Sequence, residues 1–192
     1  MKDESQIIAA LEIGTTKTCM VVGEIHPDST AAIIGVGEVP SAGIRKGEIA
    51  DMSMARQCLF DAWQSAQDHA DVEIMSVILS VTGDHIYGEN GHGSYRLPDD
   101  EDIIEYEHTN LAREKAEKIE IAADRFVINR EMGNFSIDNR ETSRHPVGLT
   151  GRTLDVKCHV MHGILTRIQN YLMCARQVPL EVEDIVFAPL AT

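Results

Sequence analysis

The chain has 192 residues, 43% apolar and 25% charged, which suits one substantial core or two small ones. Seventeen basic against thirty-one acidic residues leave a net charge of −14, which argues against a nucleic-acid surface and against direct adhesion to anionic lipid. No apolar run approaches the roughly 20 residues that span a bilayer, and the start Met-Lys-Asp-Glu-Ser-Gln is too polar for a secretory signal, so a cytoplasmic protein is expected.

The first element is an apolar run from Ile7 to Ile13, which predicts a buried strand. Gly14-Thr15-Thr16-Lys17 turns the chain, and a second apolar run begins at Cys19 and continues through Val22. This turn offers a glycine for close approach, backbone N–H groups, two hydroxyls and an ammonium, a set that suits a phosphate but also an ordinary hairpin. A further turn at His26–Thr30 leads to a third strand over 31–39, completing an antiparallel meander. Gly43-Ile44-Arg45-Lys46-Gly47 reads as a connection. Asp51 then caps a helix reaching Asp68 or His69, with Ala55, Leu59, Ala62, Trp63 and Ala66 on a core-facing stripe. A central strand follows over 74–81.

The pattern changes near Gly83, where a domain boundary is expected. Gly83, Gly88, Gly91 and Gly93 break up short segments, read as strands over 85–87 and 94–97. The run Asp99-Asp100-Glu101-Asp102 is a solvated loop leading into a helix over 105–118, and nothing in it fixes ligand spacing for a metal. Further strands are expected over 125–131, 134–138 and 153–162. From Gly163 a helix is expected with Leu165, Ile168, Leu172 and Ala175 on one face and Pro179 closing it. A strand over 182–187 then ends in Ala188-Pro189-Leu190-Ala191-Thr192. The last helix and strand pack most economically on the first sheet, which makes the middle region an insertion.

The four cysteines, Cys19, Cys58, Cys158 and Cys174, stand far apart among apolar neighbours and read as buried free thiols. In Cys158-His159-Val160-Met161-His162 a strand places Cys158 and His162 on one face and His159 on the other, so no three groups converge on a metal. No Gly-x-Ser-x-Gly elbow is present.

Glu12-Ile13-Gly14-Thr15-Thr16-Lys17, Ile33-Ile34-Gly35-Val36-Gly37, Gly43-Ile44-Arg45-Lys46-Gly47, Val81-Thr82-Gly83-Asp84-His85-Ile86 and His145-Pro146-Val147-Gly148-Leu149-Thr150-Gly151-Arg152-Thr153-Leu154 together resemble the FtsA family of bacterial cell-division proteins, which share an actin-like ATPase fold. The last of these segments is the most specific. The resemblance implies an α/β chain: a ribonuclease-H-like subdomain (1A) from residues 1–83 and 163–192, and an inserted α+β subdomain (1C, of the SHS2 type) from residues 84–162. It implies the first half of a longer protein, either truncated or natural, with ATP and magnesium held against a second half. Gly14, Thr15, Thr16 and Lys17 would meet the phosphates, and Glu12 would face magnesium through water.

Two residues depart from the family pattern. Glu12 stands where the family has aspartate, and its extra methylene misplaces a carboxylate for an octahedral magnesium site. Ala188 stands where relatives carry a glutamate or glutamine that orients the attacking water. Weak or absent ATPase activity is therefore expected. By resemblance the partners are FtsZ, later division proteins and further copies in a filament, with location at the inner face of the cell membrane through a C-terminal helix not in this sequence. A pilus-type adaptor resembling PilM and an active ATPase or sugar-kinase-type phosphotransferase are the alternatives.

Overall fold

The structure is a computed structural model that describes residues 5–141 and 144–190. The expected end of the last strand at Ala191 and Thr192, and the polar start over residues 1–4, lie outside the described residues.

The first sheet begins with three antiparallel strands, β1 (Gln6–Ile13), β2 (Lys17–Ile25) and β3 (Ala31–Pro40). The β2–β3 turn is closed by Asp28, whose carboxylate accepts from the Thr30 N–H (3.0 Å) and hydroxyl (2.6 Å). The expected connection at Gly43–Gly47 is itself a small hairpin of β4 (Ile44–Arg45) and β5 (Glu48–Ile49). Helix α1 (Met52–Ala70) follows, capped as expected by the Asp51 carboxylate accepting from the Met54 N–H at 3.0 Å. An Asp51→Ala variant is expected to lose about 1 kcal/mol, read as a shift in the urea midpoint of Trp63 fluorescence.

Strand β6 (Ser76–Val81) runs parallel to β1, closing the first β-α-β crossover. Ala9, Leu11, Ile13, Met20, Val22, Val77, Leu79 and Val81 alternate onto one face and are buried beneath the helix. Trp63, expected within the buried stripe, lies half-buried at its margin. Its indole N–H donates to the Ile74 carbonyl (3.0 Å), while the Gln67 side chain accepts from the Ile74 N–H (2.9 Å), fixing the entry to β6.

Strand β7 (Ile86–Arg96) corrects the two short strands expected over 85–87 and 94–97. Gly91 and Gly93 are places of close approach to a helix, not interruptions, and Gly88 lies against the His159 ring. The helix is α2 (Tyr106–Glu117), and Cβ atoms on Gly91 and Gly93 would collide with the carbonyl oxygens of Ala116 and Ala112. Gly35 and Gly37 on β3 meet Ala62, Ala66 and Ala70 of α1 in the same way. Each helix therefore sits on a Gly-x-Gly strand through alanines four residues apart, close enough for backbone contact.

Strand β8 (Arg125–Ile137) is also continuous, running through Gly133, where two strands were expected over 125–131 and 134–138. With β9 (Arg140–Glu141) and β10 (Thr153–Ile164) it completes a four-stranded sheet in the order β7-β10-β8-β9. Leu97, Ile104, Phe135, Ile137, Leu154, Val156, Cys158 and Val160 form this sheet's core with Ala112 and Ala116. At the start of α2, His108 Nδ1 accepts from the Glu105 N–H (3.1 Å), so the ring proton sits on Nε2, 2.9 Å from the Glu101 carboxylate.

Helix α3 (Leu165–Ala175) and β11 (Glu181–Phe187) return to the first sheet, where β11 lies parallel to β6. The buried face of α3 is Ile168, Tyr171, Cys174 and Ala175. The expected Leu172 is only half-buried, because the stripe is rotated toward Tyr171 and Cys174. The five-stranded order is β11-β6-β1-β2-β3. By contact density the chain divides into two units: one runs through Ile86 and resumes at Ile164, and the other is Tyr87–Gly163.

Candidate functional site

Strands β1, β6 and β11 run in the same direction, and open parallel sheets bind ligands beyond their carboxyl ends. In that place the first unit has a cavity of about 550 Å³ lined by Ala10, Leu11, Glu12, Cys19, Val21, Ser80, Thr82, Ala188 and Pro189. It opens on the face of the sheet opposite α1. Glu12 pairs in register with Ser80, so a carboxylate and a hydroxyl project side by side, with Thr82 two residues further on. Ala188 opens the 3-10 turn Ala188–Leu190 and brings only a methyl group.

Glu12 and Ala188 are thus brought together, while Gly14, Thr15, Thr16 and Lys17 form the neighbouring turn. The Gly14 N–H donates to the Lys17 carbonyl (2.9 Å), and a Cβ on Gly14 would press on that same oxygen at 2.9 Å. Thr15 Oγ1 accepts from the Gly47 N–H at 2.8 Å, which leaves its hydroxyl hydrogen to donate outward. The Thr16 carbonyl accepts from the Ser41 N–H (3.0 Å), and Thr18 Oγ1 lies 2.9 Å from Ser41 Oγ. The Lys17 ammonium pairs with Glu38 at 2.8 Å, and this exposed carboxylate raises the lysine pKa.

The β4–β5 hairpin holds the turn from the side. Gly43, Lys46 and Gly47 all have positive φ (77°, 49° and 72°), which bends the hairpin sharply. The Gly47 carbonyl accepts from the Tyr171 hydroxyl, and Arg167 binds Glu48 and Asp84, each at 2.8 Å. Burial pushes the Tyr171 phenol up to about 12, so it remains a donor throughout the physiological range. Gly47, Tyr171, Arg167, Ser80 and Thr82 escaped the sequence reading. The one available signal was the pair of glycines at 43 and 47.

Cys58, Cys158 and Cys174 are buried free thiols, as expected, whereas Cys19 is half-buried in the cavity wall, and burial raises its pKa. Among the described residues no group of three His, Cys, Asp or Glu side chains converges for a metal. Beside the acidic run, the carbonyls of Pro98, Asp99 and Glu101 converge on Arg152 Nη1 at 3.0 to 3.2 Å, so a guanidinium fills that concavity. His159 Nδ1 meets the Asn90 side chain (2.8 Å) and His162 Nε2 meets Glu89 (3.1 Å), while Cys158 packs in the core. No described helix is long and apolar enough to cross a membrane.

An antiparallel meander followed by two parallel strands, with a second unit inserted before the last helix, defines an actin-like, ribonuclease-H-like fold. Residues 83–162 match the family described as the SHS2 domain inserted in FTSA. The chain resembles the cell-division protein FtsA along its whole length: 30% identity to that of Neisseria meningitidis over 192 residues (100% of this chain, 46% of the relative) and 32% to that of Pseudomonas aeruginosa over 187 (97% and 44%). The FtsA of Bacillus subtilis is 28% identical over 98% of this chain and 43% of its own. The chain therefore spans about half the length of the curated relatives it matches. Among solved structures, the PilM-PilN type IV pilus biogenesis complex shares the fold, with a TM-score of 0.56 at 14% identity over 96% of this chain and 48% of that one.

Proposed function

We propose that this chain is the part of an FtsA-type cell-division scaffold that supplies one wall of a nucleotide site and carries an inserted partner-binding unit. The observation that carries this is similarity to FtsA that runs unbroken through both units. The donor set fits a magnesium-bound phosphate. The Glu12 carboxylate with the Ser80 and Thr82 hydroxyls suits a hydrated cation, and Thr15 turns a hydroxyl hydrogen outward for an anion. ATP with magnesium is the cofactor proposed for the whole protein, its magnesium supplying charge neutralisation at the phosphates. Gly14, Thr15, Thr16 and Lys17 are its proposed phosphate loop, with Lys17 exchanging Glu38 for phosphate.

The same cavity supports the expectation of weak hydrolysis. Glu12 is the long carboxylate, and Ala188 offers no atom to orient water. A scaffold whose assembly responds to nucleotide occupancy needs binding alone. Linking FtsZ to the inner face of the cell membrane, recruiting later division proteins and assembling into filaments are the roles proposed for the whole protein. The test is magnesium-dependent phosphate release by the full-length protein beside binding of a fluorescent ATP analogue. Binding with release at the no-enzyme background is expected, and turnover matching an active actin-like ATPase would overturn the weak-hydrolysis reading.

A further inference from the structure

The hairpin of β4 and β5 cannot set its own shape. Each strand has two residues, the pair forms a sheet of its own, and Lys46 takes a positive φ (49°) without being glycine. Its geometry is therefore imposed from outside, and α3 supplies two of the grips. Arg167 and Tyr171 stand four residues apart, on one face of that helix. Arg167 places Nη2 on Glu48 and Nη1 on Asp84, each at 2.8 Å, and Tyr171 donates its hydroxyl to the Gly47 carbonyl. The helix thus holds two consecutive hairpin residues, Gly47 and Glu48, and ties them to the exit of β6, where Thr82 lines the cavity. A Cβ on Gly47 would stand 3.7 Å from the Gly83 Cα and from the Thr82 carbonyl oxygen, so these two stretches of backbone lie side by side.

The other side of Gly47 meets the phosphate turn. Its N–H donates to Thr15 Oγ1 at 2.8 Å, while its carbonyl is taken by Tyr171, so one residue links the turn to the helix through its two peptide groups. A threonine hydroxyl has one hydrogen and rotates to suit its partners. With its oxygen accepting from Gly47, that hydrogen is left to donate to a phosphate oxygen, and the accepted bond polarises the hydroxyl and strengthens it as a donor. Thr15 is exposed, so wherever the Gly47 N–H is not held in place, water competes for the same oxygen and the hydroxyl turns freely. The Gly14 N–H is spent on the Lys17 carbonyl and the Lys17 ammonium on Glu38, so the Thr15 hydroxyl is a donor of the turn that stands ready without exchange. We infer that Tyr171, acting through the Gly47 peptide with Arg167 alongside, is a positioning residue of the nucleotide site that holds the Thr15 hydroxyl as a donor to the phosphates.

Because this role rests on the nucleotide reading of the cavity, the test is a double-mutant cycle on the full-length protein. Affinity for a fluorescent ATP analogue is measured with magnesium, below the onset of each variant's thermal melt. Thr15→Val keeps the shape and removes the hydroxyl, and is expected to weaken binding roughly ten-fold, whereas Thr15→Ser should stay within about two-fold of wild type. Tyr171→Phe removes one oxygen atom and is expected to weaken binding about three- to five-fold. In the Thr15→Val background the same change should cost less than about 1.5-fold, because the hydroxyl it orients is gone. A purely structural tyrosine would lower affinity by one factor in both backgrounds. Amide hydrogen exchange over residues 44–50, read by mass spectrometry at saturating analogue, should slow in wild type and not in Thr15→Val. Wild-type affinity in Tyr171→Phe or in Thr15→Val, an equal Tyr171→Phe loss in both backgrounds, or exchange that the analogue leaves unchanged in wild type would each overturn the inference and leave the nucleotide site standing. A wild-type protein that binds no analogue would overturn both.

Discussion

Replacing Gly37 by alanine is expected to destabilise the first unit by about 3 kcal/mol or more, and Gly93→Ala to do the same to the second. The reason is which atoms stand in the way. A Cβ on Gly37 would overlap the Ala62 carbonyl oxygen and lie 2.7 Å from the Ala66 nitrogen, and one on Gly93 would overlap the Ala112 carbonyl and lie 2.7 Å from the Ala116 nitrogen. Backbone cannot turn aside as the end of a flexible side chain can, so strand and helix must separate and the packing between them loosens. Trimming the helix alanines to glycine should therefore rescue neither variant. Gly133→Ala is the control: its Cβ would meet only the Lys157 carbonyl at 3.4 Å, an ordinary contact, and a change within about 0.5 kcal/mol is expected. Trp63, the single tryptophan, reads the first unit in urea, and amide exchange along β7 and α2 reads the second. A Gly37→Ala chain with the wild-type midpoint would refute this account of the strand–helix contact.

The same glycines show where the sequence was readable. The alanine spacing on α1 identified a helix that packs, and the Gly14–Lys17 turn between two apolar runs identified the hairpin that begins the sheet. In the second unit Gly88, Gly91 and Gly93 were taken as punctuation, because a glycine needed for close approach and a glycine that ends a strand look alike until the helix above it is known. At the candidate site, Glu12 and Ala188 were legible because each departs from a short motif. The clasp on the turn was not legible: Gly47 to Thr15 spans 32 residues and Tyr171 to Gly47 spans 124, and no local period records such pairs.

Raising the pH above about 9 should weaken the first unit, and Tyr171→Phe should remove a defined part of that loss. Burial pushes the Tyr171 phenol up to about 12 and the Cys174 thiol up to about 11, from ordinary values of 10.0 and 9.0. In both the folded state holds the proton more tightly than the unfolded state. The stabilisation is therefore complete below the unfolded pKa and is lost as pH rises through the folded one: from about 9 to about 11 for Cys174 and from about 10 to about 12 for Tyr171. A two-unit shift corresponds to about 2 to 3 kcal/mol for each group. Tyr171→Phe also removes the hydroxyl donated to the Gly47 carbonyl, so at pH 7 the variant should be less stable by about 1 kcal/mol. Near pH 11 the unfolded wild-type chain has ionised a phenol that the folded state keeps protonated and the variant lacks, so the deficit should shrink and then reverse. Urea midpoints of Trp63 fluorescence at pH 7, 9, 10 and 11 test this, with Cys174→Ala separating the lower part of the window. Parallel curves for wild type and Tyr171→Phe would show that the phenol is not held away from water, and coincident curves would show in addition that Tyr171 does not brace the hairpin beside the Gly14–Lys17 turn.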